Sequence, residues 1–178
     1  MSPTKHTIVA LVEDRPGVLN RMASLFRRRG FNIDSIAVGR SETPGFSRMT
    51  IVVDGANTMV EQVRKQLDKV IDVVKVSDIT GQDIICRELA LIKVKSTPAN
   101  RSEIMQIVDI FRAKIVDVAS DSLTVEVTGD EEKVNSLYNL LRAFGIKEIT
   151  RTGRIAMTRG GLATATELQS SKELKTKE

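Results

Sequence analysis

The 178 residues are 41% hydrophobic and 28% charged, a balance that fits one ordinary soluble domain or two small ones. No run approaches the roughly 20 consecutive apolar residues of a membrane span, which argues against a membrane protein. The net charge is +4, but six of the 27 basic and three of the 23 acidic residues fall within 151–178, so the preceding body is close to neutral; with 3% aromatics and no Trp, it offers neither the basic face nor the stacking platforms of a nucleic-acid binder.

The opening "MSPTKHTIVALVEDRPG" has no charged stretch followed by a long apolar one and a small-residue cleavage site. The chain is therefore expected in the cytoplasm, or in an organelle whose transit peptide has been removed. "HTIVALVE" reads as a first strand. His6, the only histidine, lies at its start and reads as a surface residue rather than a ligand, leaving zinc and histidine-based catalysis with little support. The turn "DRPG" follows, then a helix from Val18 to Arg29 with Leu19, Met22, Leu25 and Phe26 at helical spacing, stopped by Gly30. The run Arg27, Arg28 and Arg29 reads as the solvated end of that helix, its cations complementing the C-terminal dipole.

Next come a strand at "FNIDSIAVG", the loop "RSETPGFS" and a strand at "RMTIVVDG". A helix from about Thr58 to Lys69 stripes Val60, Val63, Leu67 and Val70, and "VVKVSDI" closes the unit as a fourth strand. The turn chemistry of "TGQDIICRE" sets a domain boundary near Gly81. Cys86, the only cysteine, excludes an internal disulfide and reads as a half-buried strand residue; no histidine follows position 6 to activate it.

The element order then repeats: strand "LALIKVKS", helix Ser102 to Ala113, strands "KIVDVAS" and "SLTVEVTG", helix Asp130 to Phe144, strand "IKEITRTG". The helices stripe Ile104, Ile107, Val108 and Phe111, then Val134, Leu137, Leu141 and Phe144. Asp130, Glu131 and Glu132 suit the start of the latter. The fold class is thus α+β, two tandem ferredoxin-like (βαββαβ) domains over residues 1–80 and 81–160. Each domain is expected to leave one apolar sheet face or edge uncovered, to be closed by pairing within or between chains. The tail, residues 161–178, is small and polar and is expected to be mobile.

The turn before the first helix is the stretch with chemistry in it. A strand running into Asp14, Arg15, Pro16 and Gly17 aims unpaired N–H groups and a helix dipole outward, which suits a carboxylate or a phosphate. Gly17 lets a ligand approach the backbone and Pro16 holds the entry angle. Asn32, at the next strand, is expected to hold a polar ligand head from a second side, as an amino acid would require. As plain structure, the same residues make a turn and a helix stop.

"ALVEDRPGVLNRMASLFRRRGFNIDSIAVG" resembles the opening of an ACT domain, the small-molecule regulatory module of amino-acid metabolism. With "SRMTIVV", "KQLDKVIDVVKV", "RELALIKV", "IFRAKIVDV" and "GIKEITRTG" in the same order, residues 6 to about 160 are similar to the regulatory (small) subunits of acetolactate synthase, also called acetohydroxyacid synthase. The resemblance implies a chain without an active site, a homodimer that activates a separate catalytic (large) subunit carrying thiamine diphosphate, magnesium and FAD. It implies feedback inhibition by valine or another branched-chain amino acid. The effector then sits between paired N-terminal domains, at Asp14, Arg15, Pro16, Gly17, Val18, Leu19, Asn32 and Ile33. Some relatives carry Asn at the position of Asp14; the carboxylate here favours an effector's ammonium and disfavours its carboxylate. Arg101, Arg112 and Arg151 stand as candidate contacts to the catalytic subunit. The alternative is a free-standing ACT-domain sensor controlling transcription or another enzyme; no helix-turn-helix signature supports the transcriptional form.

Overall fold

A computed structural model describes residues 5–55 and 57–160 of the chain. Two compact units result, one reaching to Ile85 and taking in the chain again from Ala156, the other Cys86–Ile155. The expected tail lies outside the described residues.

In the first unit, β1 (Lys5–Glu13) leads into α1 (Val18–Arg28), β2 (Ile33–Arg40), β3 (Phe46–Asp54), α2 (Asn57–Leu67) and β4 (Val73–Asp78). The strands form an antiparallel sheet in the order β2-β3-β1-β4, so β1 and β3 lie in the middle of the sheet and β2 and β4 at its edges. Alternation along β1 turns Ile8, Ala10 and Val12 toward the helices, where Met49, Ile51, Val53, Val60, Val63 and Leu67 complete the core. The face that α1 buries differs by one position from the expected stripe: Val18, Met22, Leu25 and Phe26 are buried, while Leu19 stands 51% exposed. Gly30, at φ +70°, ends α1 as expected, with the Phe31 amide donating back to the Phe26 carbonyl.

His6 is not a surface residue. It lies inside β1 on the helix-covered side, opposite Val53, only 5% exposed, and its Nδ1 is 3.5 Å from Asp78 Oδ2. The two-residue alternation of β1 puts it on the face of Ile8, Ala10 and Val12, which carries the imidazole under α2. Thr7, Val9, Thr50 and Val52, on the opposite face, are buried too, so the centre of this sheet is not left bare.

The second unit repeats the order with β5 (Ile84–Lys95), α3 (Arg101–Ile110), β6 (Lys114–Val118), β7 (Ser122–Gly129), α4 (Glu131–Leu141), a 3-10 turn (Arg142–Phe144) and β8 (Ile146–Arg151). The sheet order is β6-β7-β5-β8; a short further strand, β9 (Ile155–Thr158), pairs with β5 and belongs from Ala156 on with the first unit. That strand was not read from the sequence: four residues carry too little periodicity, and its partner, the start of β5, lies in the stretch read as a turn. The helix α3 stops three residues short of the expected Ala113 because Arg112 takes φ +49° and the Ala113 amide turns back to the Val108 carbonyl. The Asp130 side chain caps α4 by accepting from the Lys133 amide at 2.9 Å.

The outward face of this sheet corrects the expectation of an apolar surface. Lys93 stands beside Thr124 and Glu148, and Glu126 beside Leu91 and Lys114. Opposite charges across strands, with a Lys93–Glu148 pair at 3.4 Å, let this face meet water. Two of the three arginines proposed as docking contacts are used internally. Arg101 donates to the carbonyls of Ala119 and Ser120, and Arg151 to Glu88 and Asn135. Cys86 is half-buried in β5.

Candidate functional site

Strand β1 ends at Glu13 and the chain turns through Asp14, Arg15, Pro16 and Gly17, all exposed, before α1 starts at Val18. Gly17 holds φ +91° and ψ −15°, a left-handed conformation that glycine adopts without the Cβ penalty of other residues. Its carbonyl accepts from the Arg21 amide, closing the first helical turn. No side chain caps the helix and no acid occupies its first turn, so its first donors have neither of the usual intrahelical partners. A Cβ built on Gly17 would meet nothing within 4 Å, so the space beside the helix N-terminus is open at this position.

The turn is tied down from behind. The Asp14 amide donates to the Gly45 carbonyl at 2.8 Å, and the Glu13 amide to the Asp72 carbonyl at 2.9 Å. The Asp72 side chain, fully buried, sits just ahead of β4 and points its carboxylate at two guanidiniums. One oxygen accepts from Arg15 through Nε at 2.8 Å and through Nη2; the other accepts from Arg21 Nη1 at 2.6 Å. Arg15 Nε also lies 3.2 Å from Glu13. Asp72 thus brings a negative charge to a helix end whose own first turn has none, and offsets Arg21, a cation at the unfavourable end of the dipole.

Sequence reading missed Asp72, Arg21 and Gly45. A signal for the first exists in "KVIDVVKV", a lone acid inside an apolar run. The chain turns that acid inward and leaves its neighbour Ile71 81% exposed.

Hydrogen bonding and Coulombic attraction from Arg15, with Arg21 adding to both, hold the Asp72 carboxyl below the ordinary carboxylate value of 3.8 against the opposing effect of desolvation. A depressed carboxyl contributes stability that is complete above its unfolded value and is lost as pH falls through the folded one. The melting-temperature gap between the wild-type chain and Asp72→Asn is therefore expected to stay level from pH 8 to 5 and to close below about 4. Thermal unfolding of both proteins across that range checks this; a gap that closed between pH 7 and 5 would assign the stability to another group.

The candidate residues fall into two places. Asp14, Arg15, Pro16 and Gly17 make the turn; Val18 is buried in the core; Leu19 is half-exposed beside them. Asn32 and Ile33 lie at the opposite end of the sheet. Ile33 pairs with Val53, whose other neighbour is His6 at the start of β1, whereas the turn follows Glu13 at its end. With about 3.3 Å per strand residue, the two groups are more than 20 Å apart in one chain. A single chain cannot hold one ligand head between the turn and Asn32, as the residues alone had suggested. Strand β2 is an edge strand, with Ile36 and Val38 36% and 50% exposed along it.

Among the described residues, no three of His, Cys, Asp and Glu are grouped as a metal site, and no helix is long and apolar enough to cross a membrane.

Two family models match the chain, "AHAS small subunit-like ACT domain" over residues 8–75 and "Small subunit of acetolactate synthase" over residues 87–160. The chain is 57% identical to a probable acetolactate synthase small subunit of Archaeoglobus fulgidus, over 88% of this chain and 98% of the relative. It is 54% identical to the acetolactate synthase small subunit of Bacillus subtilis, over 88% and 91%. Among solved structures, the acetolactate synthase small subunit from Thermotoga maritima superposes with a TM-score of 0.82 at 45% identity, covering 89% of this chain and 99% of that one.

Proposed function

Because the chain belongs to the acetolactate synthase small-subunit family, we propose that it is a regulatory subunit that makes no acetolactate itself. It docks on a separate catalytic subunit, which carries the thiamine diphosphate, magnesium and FAD, raises that subunit's activity, and makes it sensitive to valine or a related branched-chain amino acid.

The observation that carries the effector reading is the separation of the turn from Asn32 together with the open edge at β2. Two copies pairing antiparallel through β2 set the Ile33 end of one strand beside the Arg40 end of the other, the end at which that second copy's own turn lies. One chain's α1 N-terminus then faces the other's Asn32. The exposed helix amides take the effector's carboxylate, Asp14 and Asn32 of the second copy take its ammonium, and Leu19 with Ile33 offer apolar surface to a branched side chain. The pairing buries a strand edge that would otherwise template non-specific association.

Reconstitution with the purified catalytic subunit tests the proposal. The chain alone is expected to form no acetolactate from pyruvate, to raise the rate when added, and to bring inhibition within the range of one of valine, leucine or isoleucine. Turnover by the chain free of catalytic subunit, or a catalytic rate unchanged by its addition, overturns the assignment.

A further inference from the structure

Granting an effector site at the α1 turn, we infer that Asp72 decides which ligand class the site accepts: a zwitterionic amino acid, and not the corresponding simple carboxylate. A helix N-terminus with open space beside it attracts any small anion. Two guanidiniums beside it, Arg15 and Arg21, strengthen that attraction and remove its selectivity, since a carboxylate alone satisfies them. Asp72 takes that seat. Its side chain is fully buried, both of its oxygens are committed to Arg15 and Arg21, and its backbone carbonyl fixes it to the strand that leads into the turn.

The charges around the turn then sum to one excess negative, with Glu13, Asp14 and Asp72 against Arg15 and Arg21. A ligand that brings only a carboxylate meets this field unfavourably. A ligand that also brings an ammonium meets the exposed Asp14 carboxylate at the same turn. Asp72 touches no ligand in this scheme; it acts through the arginines that it withholds, which makes it a specificity-determining residue rather than a contact.

The experiment uses the reconstituted holoenzyme, with valine and its deaminated analogue 3-methylbutanoate as probes, and subtracts any effect of either on the catalytic subunit alone. If leucine or isoleucine is the inhibitor, its own deaminated carboxylate takes the place of 3-methylbutanoate. Wild type is expected to respond to the amino acid and to ignore the carboxylate at 100-fold higher concentration. Asp72→Asn frees both guanidiniums, and the carboxylate is expected to become an inhibitor at a concentration within about 10-fold of the amino acid's. Arg15→Lys keeps the charge but gives up the two-nitrogen grip on Asp72, and is expected to narrow the gap between the two midpoints by about 3-fold, which covers the case of an unfolded Asp72→Asn.

Unchanged discrimination in these variants overturns the inference. So does loss of amino-acid inhibition without any gained response to the carboxylate, because that outcome makes Asp72 a mere support of the turn. A wild-type holoenzyme inhibited by none of the three amino acids overturns the effector reading on which the inference rests, and is seen before any variant is made.

Discussion

Gly17→Asp is expected to raise the effector concentration for half-inhibition on the order of 100-fold while leaving activation of the catalytic subunit intact. The position is open, so the new side chain enters the space beside the helix N-terminus rather than the protein interior. Its carboxylate then stands about 4 Å from that of the effector, a repulsion of roughly 1 kcal/mol in bulk water and roughly 4 at the effective dielectric of a protein surface. Taking about 3 kcal/mol gives the 100-fold loss. A second contribution is conformational. At φ +91° any L side chain is strained by about 1–2 kcal/mol, and Gly17→Ala isolates that part without the charge. Activation survives because the turn is exposed and lies outside the core made by Ile8, Met22, Phe26 and Ile51. The assay is acetolactate production by the reconstituted complex across titrations of valine, leucine and isoleucine. A variant that activates normally and is inhibited at the wild-type midpoint removes the α1 N-terminus from the effector site.

Asn32→Ala is the second large effect expected. Asn32 is exposed at the entrance to β2, so its removal leaves the core untouched and deletes only a side-chain amide. A hydrogen bond to a charged group contributes about 1.5–3 kcal/mol. Loss of the Asn32 contact to the effector's ammonium therefore raises the half-inhibition concentration by roughly 10-fold or more, with the extent of activation unchanged. An Asn32→Ala complex inhibited like wild type places the ammonium elsewhere.

The legible parts of this fold are those where a residue's neighbours in sequence determine its environment. The stripes Val60, Val63, Leu67 and Val134, Leu137, Leu141 are buried as their spacing predicts, and Gly30 and Asp130 mark helix ends through local backbone chemistry. The misreadings arise where a distant segment decides. His6 looked exposed because it opens the first strand, but the sheet carries it beneath α2. Leu19 fits a helical stripe as well as Val18 does, and only the sheet below chooses between them. The start of β5 carried turn residues and became a strand through its pairing with β9.

The site divides the same way. Gly17 and the helix start were readable as a local turn. The Asp72 grip on Arg15 and Arg21 was not, since it joins residues 57 and 51 positions apart in sequence. The distance between the turn and Asn32 was equally hidden, because strand register is a long-range property of the sheet.

That distance makes a mixed dimer the most direct measurement of the central claim, that each effector site is assembled from the turn of one chain and Asn32 of another. Gly17→Asp and Asn32→Ala chains are co-expressed with distinct tags, the mixed species is isolated, and its complex with the catalytic subunit is titrated with the inhibiting amino acid. A shared site predicts that the mixed dimer contains one intact site, formed by the wild-type turn of the Asn32→Ala chain and the wild-type Asn32 of the Gly17→Asp chain, and so recovers inhibition at the wild-type midpoint that neither parent shows. A mixed dimer as insensitive as its two parents contradicts the claim.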